Sequence, residues 1–419
     1  VSDRPLVAVV DPFSTGSQLA AEFGHRGWDT AAVLSGTCVR DGSRRDYRRE
    51  EYRAVIDMDR DGDPVGRLRA LAPTHVITGS EWGVATADRL AEQLGLPGNG
   101  TALSLSRRDK FAMAERVREA GLPVAASLLA TNAEDIVAWA DRHGHWPVVL
   151  KPPASAGSDE VTFCADAERV RAAFARIHRR PNQMGGFNQA VLAQERLVGE
   201  QYFVNSVSRD GRHHLHEFWR ERRAHRAGRV VYDTQDLLPA RGTPQDELSA
   251  YVVGVLDALG IAHGPAHTEV MMTARGPVLV ECGARLEGSV TSRGPLAATG
   301  HSQVSLTVDA YTAPERFAAL PGTAYTLRRH LRVVCLIVPE DGYVAEAPLR
   351  AVRALPTYLC GSVDDLAPGT PVRATTDLFS SPGHLYLLGR TPREIERDYA
   401  AIRAAERDEL YQRSPQNRH

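Results

Sequence analysis

Residues 266–289 read AHTEVMMTARGPVLVECGARLEGS, two strand-forming runs joined by a Gly-Pro turn, each with a glutamate inside an otherwise apolar stretch. This segment constrains the fold more than any other, because buried strands rarely carry charge and here two neighbouring strands each carry one. Paired strands lie about 5 Å apart. Carboxylates at matching heights, Glu269 and Glu281, can therefore share one or two divalent ions, with Mg²⁺ the usual hard partner of carboxylate and phosphate oxygen. Arg285, four residues past the second glutamate, adds a cation suited to phosphate. The competing reading is a surface hairpin with solvated acids, and the rest of the chain weighs against it.

At 419 residues and 43% hydrophobic content the chain exceeds one core of usual size, so two or three domains are expected. Its 50 Lys and Arg nearly balance its 52 Asp and Glu. No global field then points to nucleic acid or an anionic membrane, and small-molecule partners are expected, with homodimer formation left open. Cys38, Cys164, Cys282, Cys335 and Cys360 lie far apart without CxxC spacing, which argues against a disulfide framework or structural zinc and fits a reducing, cytoplasmic setting. No window approaches the ~20 apolar residues that span a bilayer, and the first residues lack a basic leader followed by an apolar run.

The first hundred residues alternate apolar runs (LVAVV, TAAVL, AVIDM, HVITG) with amphipathic ones (SQLAAEFGHRG, PVGRLRALAP, VATADRLAEQLG). That β/α alternation predicts an open, mostly parallel sheet with helices on both faces. Ligands of such sheets sit beyond the carboxyl ends of strands, where DPFSTGS (11–17) and GSEW (79–82) fall; substrate-facing loops and plain turns are equally consistent with them. After the linker GLPGNGTALSLS comes a basic helix, RRDKFAMAERVREAG, ending at Gly121. Thr131 with Glu134 then predicts a capping box for a helix reaching His143. Strand, Gly/Ser loop, strand and helix follow in WPVVLKPPASAGSDEVTFCADAERVRAAFARI, and PNQMGGFNQ reads as a loop. Beyond the connector QERLVGEQY, two strands flank an Arg-Asp-Gly-Arg turn. Thr243 is expected to cap a helix that Gly260 closes. The last hundred residues hold strands such as LRVVCLIV and LYLLG and a final charged helix with one apolar stripe.

Lys151 ends the strand VVLK before two prolines and a small-residue loop, Ala154 to Ser158. A lysine at a strand end beside flexible backbone amides can bind phosphate, although a surface turn is the commoner meaning of such a segment. Lys110 on the basic helix is equally ambiguous alone, as is the connector Glu195 to Val198, whose backbone could meet an adenine edge. In order, however, Lys110, Lys151, the Ser/Gly loop, the connector, Glu269, Glu281 and Arg285 all suit ATP with magnesium. His214 and His216 would share a strand face, as zinc ligands can, but no third ligand lies near in sequence, and a metal role for them is not favoured.

Over roughly residues 100 to 300 the chain resembles the ATP-grasp superfamily. The resemblance implies that Lys110, Lys151, Ser155, Ala156, Gly157 and Ser158 hold the nucleotide phosphates, that Glu195 and Val198 grip adenine, and that Glu269 and Glu281 hold Mg²⁺ (one or two ions, or Mn²⁺). Arg285 and Lys151 are then the catalytic cations. Two positions depart from the family pattern. Many members have E-x-N after the second metal strand, whereas Gly283 stands in the asparagine's place here. The ribose contact falls on Glu200 or Gln201, and alignment with G-x-E selects Gln201. Looser motifs, VDPFSTG, SVSRDGRHHLHEFWR and VECGARLEGS, resemble the carboxylate-amine ligase branch that makes dipeptides or amide-linked antibiotics, the branch of bacilysin-pathway L-amino acid ligase and dapdiamide synthetase. By that resemblance Glu217, Trp219 and Arg220 line the substrate pocket, the acid for an amino group and the arginine for a carboxylate, and Ser289 tunes side-chain selectivity. A strand merely packed on the central sheet is the alternative for this set.

The implied architecture is an α/β ATP-grasp fold: an N-terminal open parallel-sheet domain (1–100), an entry helix (101–139), a lid (140–200), a central body with the metal site (201–310) and a mixed C-terminal subdomain (311–419). The implied activity is ATP-dependent joining of a carboxylate and an amine, the expected substrates being amino acids or amino-acid-like molecules, through an acylphosphate. A phosphotransferase on the same scaffold and a nucleotide-binding subunit without turnover are the competing readings.

Overall fold

Four short strands, β1 (Leu6–Val10), β2 (Asp29–Leu34), β3 (Ala54–Asp57) and β4 (His75–Thr78), build a parallel sheet in the order β3-β2-β1-β4. Strands buried on both faces need continuous apolar runs, and LVAVV is buried along its whole length. Helices Pro64–Leu71 and Val84–Leu94 cover one face through Leu68 and Leu90. The other face meets helix Gln18–His25 and, from far along the chain, Val304, Val308 and Tyr311 of helix Gln303–Thr312. The expected open parallel sheet is thus present. The structure, a computed structural model, describes residues 3–36, 44, 46–155, 160–182, 184–226, 229–288, 291–323, 325–376 and 380–413. Among these no helix is long and apolar enough to cross a membrane.

A second sheet of four antiparallel strands, β5 (Ser127–Ala130), β6 (Val148–Lys151), β7 (Thr162–Cys164) and β8 (Val191–Glu195), has the order β5-β8-β6-β7. Helices Ala133–His143 and Ala167–Ile177 seal one face through Ile136, Val170 and Ile177 against Val148 and Leu150. The alternation along β6 therefore turns Val149 and Lys151 to the opposite face. β5, which lies ahead of residue 140, belongs to this sheet through its pairing with β8.

The largest sheet is built from β9 (Gly199–Arg209), β10 (Arg212–Arg226), β11 (Arg229–Leu237), β12 (Gly264–Thr273), β13 (Gly276–Gly283), β14 (His330–Cys335), β16 (Tyr358–Gly361) and β18 (His384–Gly389), in the order β13-β12-β9-β10-β11-β14-β18-β16. β15 (Gly342–Val344), β17 (Pro371–Val372) and β19 (Tyr411–Arg413) form a small separate sheet. Three C-terminal strands, β14, β16 and β18, thus extend the central sheet. Helices Lys110–Glu119 and Thr243–Ala258 cover one face of this sheet at Val204, Phe218, Val270 and Cys282.

Local chemistry corrects several expectations. Asn132, whose side chain accepts from the Asp135 amide, caps the 133–143 helix in place of the expected Thr131 box. Thr243 is the first residue of its helix, not the cap, and Gly242 precedes it at φ 146°. The hairpin from 264 to 283 turns at Ala274 and Arg275, with Gly276 at φ 93° and Pro277 already in β13. The Arg-Asp-Gly-Arg turn holds Asp210 and Gly211 at φ 49° and 74°, the two successive positive values that a tight hairpin needs. The C-terminal helix Pro392–Asp408 buries Asp398, Arg403 and Glu406 besides its apolar stripe, and Arg403 ties Asp233 of β11 to Glu406.

The two loops at the strand ends of the parallel sheet pack backbone on backbone: a Cβ at Gly16 would stand 1.9 Å from the Gly79 carbonyl oxygen, while nothing lies within 4 Å of a Cβ at Gly24. Gly16→Ala is accordingly expected to lose about 1–3 kcal/mol, whereas Gly24→Ala, inside a helix, should be neutral or gain up to about 1 kcal/mol. Urea melts of the two variants check this, and equal midpoints would contradict the packing.

Candidate active site

The two glutamates that stand out in the sequence lie directly opposite each other. Glu269 pairs with Glu281 across β12 and β13, and the register then shifts so that Val270 pairs with Leu279. That bulge leaves Val280 unpaired. It allows both Leu279 and Cys282 to reach the core under the helices while Glu281 stays with Glu269 on the outer face. Strict alternation would have put Leu279 and Glu281 on the same side.

Cations close in from three separate parts of the chain. The Asp109 side chain accepts from the amides of Phe111 and Ala112 and so caps the 110–119 helix. This cap puts Lys110 on the first turn, where its Nζ lies 2.8 Å from Glu281 Oε1 and also donates to the Ser155 carbonyl. The Lys110 amide in turn donates to the Pro153 carbonyl at 2.8 Å, fastening the start of the small-residue loop to this helix. Lys151, buried at the end of β6, is pushed down to about 8, first by burial and then by the charge of Lys110, with Glu281 and Glu269 acting in the opposite sense. Arg285 donates from Nε to Glu81 Oε2 at 2.9 Å. Burial opposes its charge, but Glu81, Glu287 and Glu281 together hold the guanidinium above its usual range.

Glu269 is supported from its own face. Gln201 Nε2 donates to Glu269 Oε2 at 3.1 Å, and His267 Nε2 lies 3.5 Å from Oε1. Burial works against ionisation, yet the contact with His267 and the charges of Arg223 and Arg285 keep this carboxyl well below the usual carboxylate range. Arg223 is itself held by Glu221 at 2.8 Å and stacks 4.2 Å over the Tyr232 ring. Gln201 therefore faces the cleft, whereas Glu200, on the other side of β9, accepts from the Tyr202 hydroxyl at 2.6 Å.

Among the described residues no three His, Cys, Asp or Glu side chains form a ready-made metal cage. Two carboxylates beside Lys110, Lys151 and Arg285 nonetheless have the donor chemistry of a divalent-ion site such as that of Mg²⁺, which is usually held by one or two carboxylates together with substrate phosphates and water. Glu269 and Glu281 are the residues that would hold it.

The remaining expected residues separate into groups. Glu195, at the end of β8, accepts from the Ala126 amide at 2.9 Å and pairs with Arg275 from the β12–β13 turn. Val198, in the connector to β9, is 70% exposed. Ser155 is buried, while Ala156, Gly157, Ser158 and Ser289 lie outside the described residues. Glu217 is buried and accepts from Asn205 Nδ2 at 2.8 Å, the Trp219 indole at 3.1 Å and the Gln303 amide at 3.0 Å. Burial, with Glu287 nearby, pushes its carboxyl upward despite these donors. Trp219 is fully buried and stacked on Phe203, so its ring supports the pocket from beneath. Arg220 is not brought to the cleft. Strand alternation turns it to the opposite face of β10, where it lies 3.7 Å from Asp236, and a substrate-carboxylate role is not supported by that position. His214 bonds the Pro321 carbonyl and His216 the Thr299 hydroxyl; they are core histidines.

Glu81, Asn205, His267, Glu287 and Gln303 join the site without having been singled out in the sequence. Glu81 lies in the GSEW loop at a strand's carboxyl end, and His267 stands two residues before Glu269 on one strand face; those two positions were the available signals. A small polar cavity beside them is lined by Thr15, Asn205, Glu217, Glu287, Ser292 and Gln303. The buried Ser292 hydroxyl has no hydrogen-bond partner among the described residues.

Residues 144–293 match the model of the ATP-grasp domain. Dapdiamide A synthase of Enterobacter agglomerans is 32% identical over 414 residues, covering 97% of each chain. The L-arginine-specific L-amino acid ligase of Bacillus subtilis is 22% identical over 220 residues, 52% of this chain and 53% of its own. The crystal structure of an L-amino acid ligase from Bacillus licheniformis superposes with a TM-score of 0.75 at 17% identity, covering 96% of this chain and 98% of that one. A relative this similar along its whole length, on a shared fold, makes this chain a member of the ATP-grasp carbon–nitrogen ligases.

Proposed function

We propose that the enzyme joins the carboxylate of one amino acid, or an amino-acid-like molecule, to the amine of a second at the expense of ATP, in the making of a small peptide or amide natural product. The observation that carries this reading is the convergence of Lys110, Lys151 and Arg285 on the opposed carboxylates of Glu269 and Glu281, in the cleft between lid and central sheet. Relatives named as a dapdiamide synthase and as amino acid ligases support the choice of ligase over phosphotransferase.

ATP would lie with its phosphates between Lys110, Lys151 and the loop that begins at Ser155, and its ribose toward Gln201. A substrate carboxylate oxygen attacks the γ-phosphorus, the bond to the β-phosphate oxygen breaks, and ADP leaves with an acylphosphate remaining. The amine nitrogen then attacks the acyl carbon, inorganic phosphate departs, and the nitrogen loses a proton. Phosphoryl transfer is catalysed mainly by position and electrostatics. Lys151 and Arg285 would supply fixed positive charge where the transferring group gathers negative charge. Mg²⁺ or Mn²⁺ on Glu269 and Glu281 would neutralise phosphate charge when bound. Lid closure would keep water from the acylphosphate. The small cavity of Glu217, Glu287, Ser292 and Thr15, with two acidic side chains in its lining, suits the ammonium of an amino acid substrate.

Pairwise incubation of amino acids with ATP and divalent metal, followed by phosphate release and product mass, tests the proposal. A mass equal to the two substrates less water is expected. A gain of one phosphoryl group would show a phosphotransferase, and ATP binding without acceptor-stimulated ADP formation a subunit that has lost turnover.

Two substitutions probe the assignments. Glu281→Gln keeps shape but removes one metal-facing charge; turnover should fall about 100-fold or more with the circular dichroism spectrum retained. Full activity would sink the metal assignment. Lys151→Met should separate function from stability. The lysine titrates near 8 in the fold and near 10.4 in an unfolded chain, so the unfolded state binds more protons between those values. Its burial thus costs stability below pH 8, and the cost disappears as pH rises toward 10.4. Lys151→Met should raise the melting temperature at pH 7, by an amount corresponding to about 3 kcal/mol at most, while ATP-dependent turnover collapses. A lowered melting temperature would contradict the electrostatic reading.

A further inference from the structure

The pairing next to Glu269 and Glu281 is that of His267 with Gly283. Residues two apart on a strand share a face, so the imidazole stands beside the carboxylates, and the glycine across from it sends no side chain into the same space. The hydrogen bonds around His267 determine how its ring is oriented. Both Glu217 oxygens already accept from groups that can only donate, the Trp219 indole on Oε2 and the Gln303 amide on Oε1. The Asn205 amide nitrogen adds a further donor to Oε2 at 2.8 Å. Asn205 Oδ1 then turns to His267 Nδ1 at 2.9 Å, and Nδ1 carries a proton. Phe203 packs against the ring with centroids 5.1 Å apart. Nε2 is left pointing at Glu269 Oε1, 3.5 Å away. An imidazole anchored through Nδ1–H, with its other nitrogen aimed at a carboxylate, has the supporting contacts of a metal-ligating histidine. The separation is near the value of about 3 Å for two atoms bound at right angles to one ion at about 2.1 Å.

We propose that His267 is a nitrogen ligand of the same divalent ion that Glu269 holds, and that the site consequently favours Mn²⁺ over Mg²⁺. This rests on the metal assignment in the preceding reading and adds to it a donor of a different type. Imidazole is a ligand of first-row transition ions, of which Mn²⁺ is the weakest binder, whereas Mg²⁺ keeps to oxygen. Gly283 is part of the arrangement. A Cβ there would lie 3.1 Å from Glu81 Oε2 and 3.2 Å from Arg285 Nε, so the space that an asparagine would enter belongs to that ion pair, and the proposed nitrogen donor stands on the facing strand instead.

The test is pulsed electron paramagnetic resonance of the full chain with Mn²⁺ and ADP, on protein carrying ¹⁴N- or ¹⁵N-histidine in otherwise unlabelled form. Adenine nitrogens are the same in both samples, so a modulation that changes with the histidine isotope reports a bound imidazole. We expect that change in the wild type and its loss in His267→Asn, with the Mn²⁺ over Mg²⁺ preference in direct binding titrations falling about tenfold. Asn205→Leu, which releases Nδ1, should weaken the modulation with Mn²⁺ still bound. Bound Mn²⁺ with no isotope-dependent modulation overturns the inference and leaves the two-glutamate assignment standing. Absence of bound Mn²⁺ in the wild type overturns both.

Discussion

Two carboxylates directly opposite each other on paired strands repel and destabilise the pair, and most of the polar structure of the cleft is a response to Glu269 and Glu281. Lys110 answers Glu281 with a direct ion pair. Gln201, His267, Arg223 and Arg285 answer Glu269 with hydrogen bonds and charge. Each of these groups then needs its own support, which explains the outer ring: Glu81 under Arg285, Glu221 under Arg223, and Asn205 under His267. The network spreads outward from a single cross-strand contact until it reaches Glu217 and the small polar cavity.

The topology makes that gathering economical. β12 and β13 sit at one edge of the central sheet, where the 110–119 helix can reach over to Glu281 and the parallel sheet can bring the Glu81 loop up to Arg285. Helix 303–312 packs the N-terminal sheet against the body through Val304, Val308 and Tyr311, so the Glu81 contact rests on a buried apolar interface instead of on a surface ion pair, whose own worth would be small. The bulge at Val280 contributes as much as any charged residue, since without it either Leu279 or Glu281 would face the wrong medium.

The parts of this organisation readable from the chain are those governed by short periods. Continuous apolar runs revealed the parallel sheet, and charges in apolar strands revealed Glu269 and Glu281. Lys151 was visible because it closes an apolar strand before a small-residue loop. What could not be read was set by contacts between distant segments. Arg220 looks like a pocket residue beside Glu217, but three residues along one strand put the two on opposite faces, and which of those faces meets the cleft is decided only by the pairing of β10 with β9. Glu81 acquires its role only when Arg285 arrives from 204 positions away. Asn132 in place of Thr131 as a cap, and a hairpin turning at Ala274 and Arg275, are one- or two-residue shifts at element ends, where several polar or small residues compete for one position.

Lys151 shows how the site's energetics tie the lid to its ligand. The lysine is buried beside a second lysine, and its ammonium is depressed to about 8, so the arrangement is unfavourable until negative charge enters. Glu269 and Glu281 offset only part of this, and Lys110 already engages Glu281. A polyanion between lid and sheet would relieve Lys151 and Lys110 together, and a divalent ion arriving with it would take over the carboxylates that Lys110 now balances. Because the Lys110 amide also holds the Pro153 carbonyl and its ammonium the Ser155 carbonyl, any shift of Lys110 from Glu281 toward phosphate is transmitted to the start of the loop. Phosphate binding, as proposed, would thus be coupled to the position of Pro153 and Ser155 through one side chain, by the same charge imbalance that the opposed glutamates create.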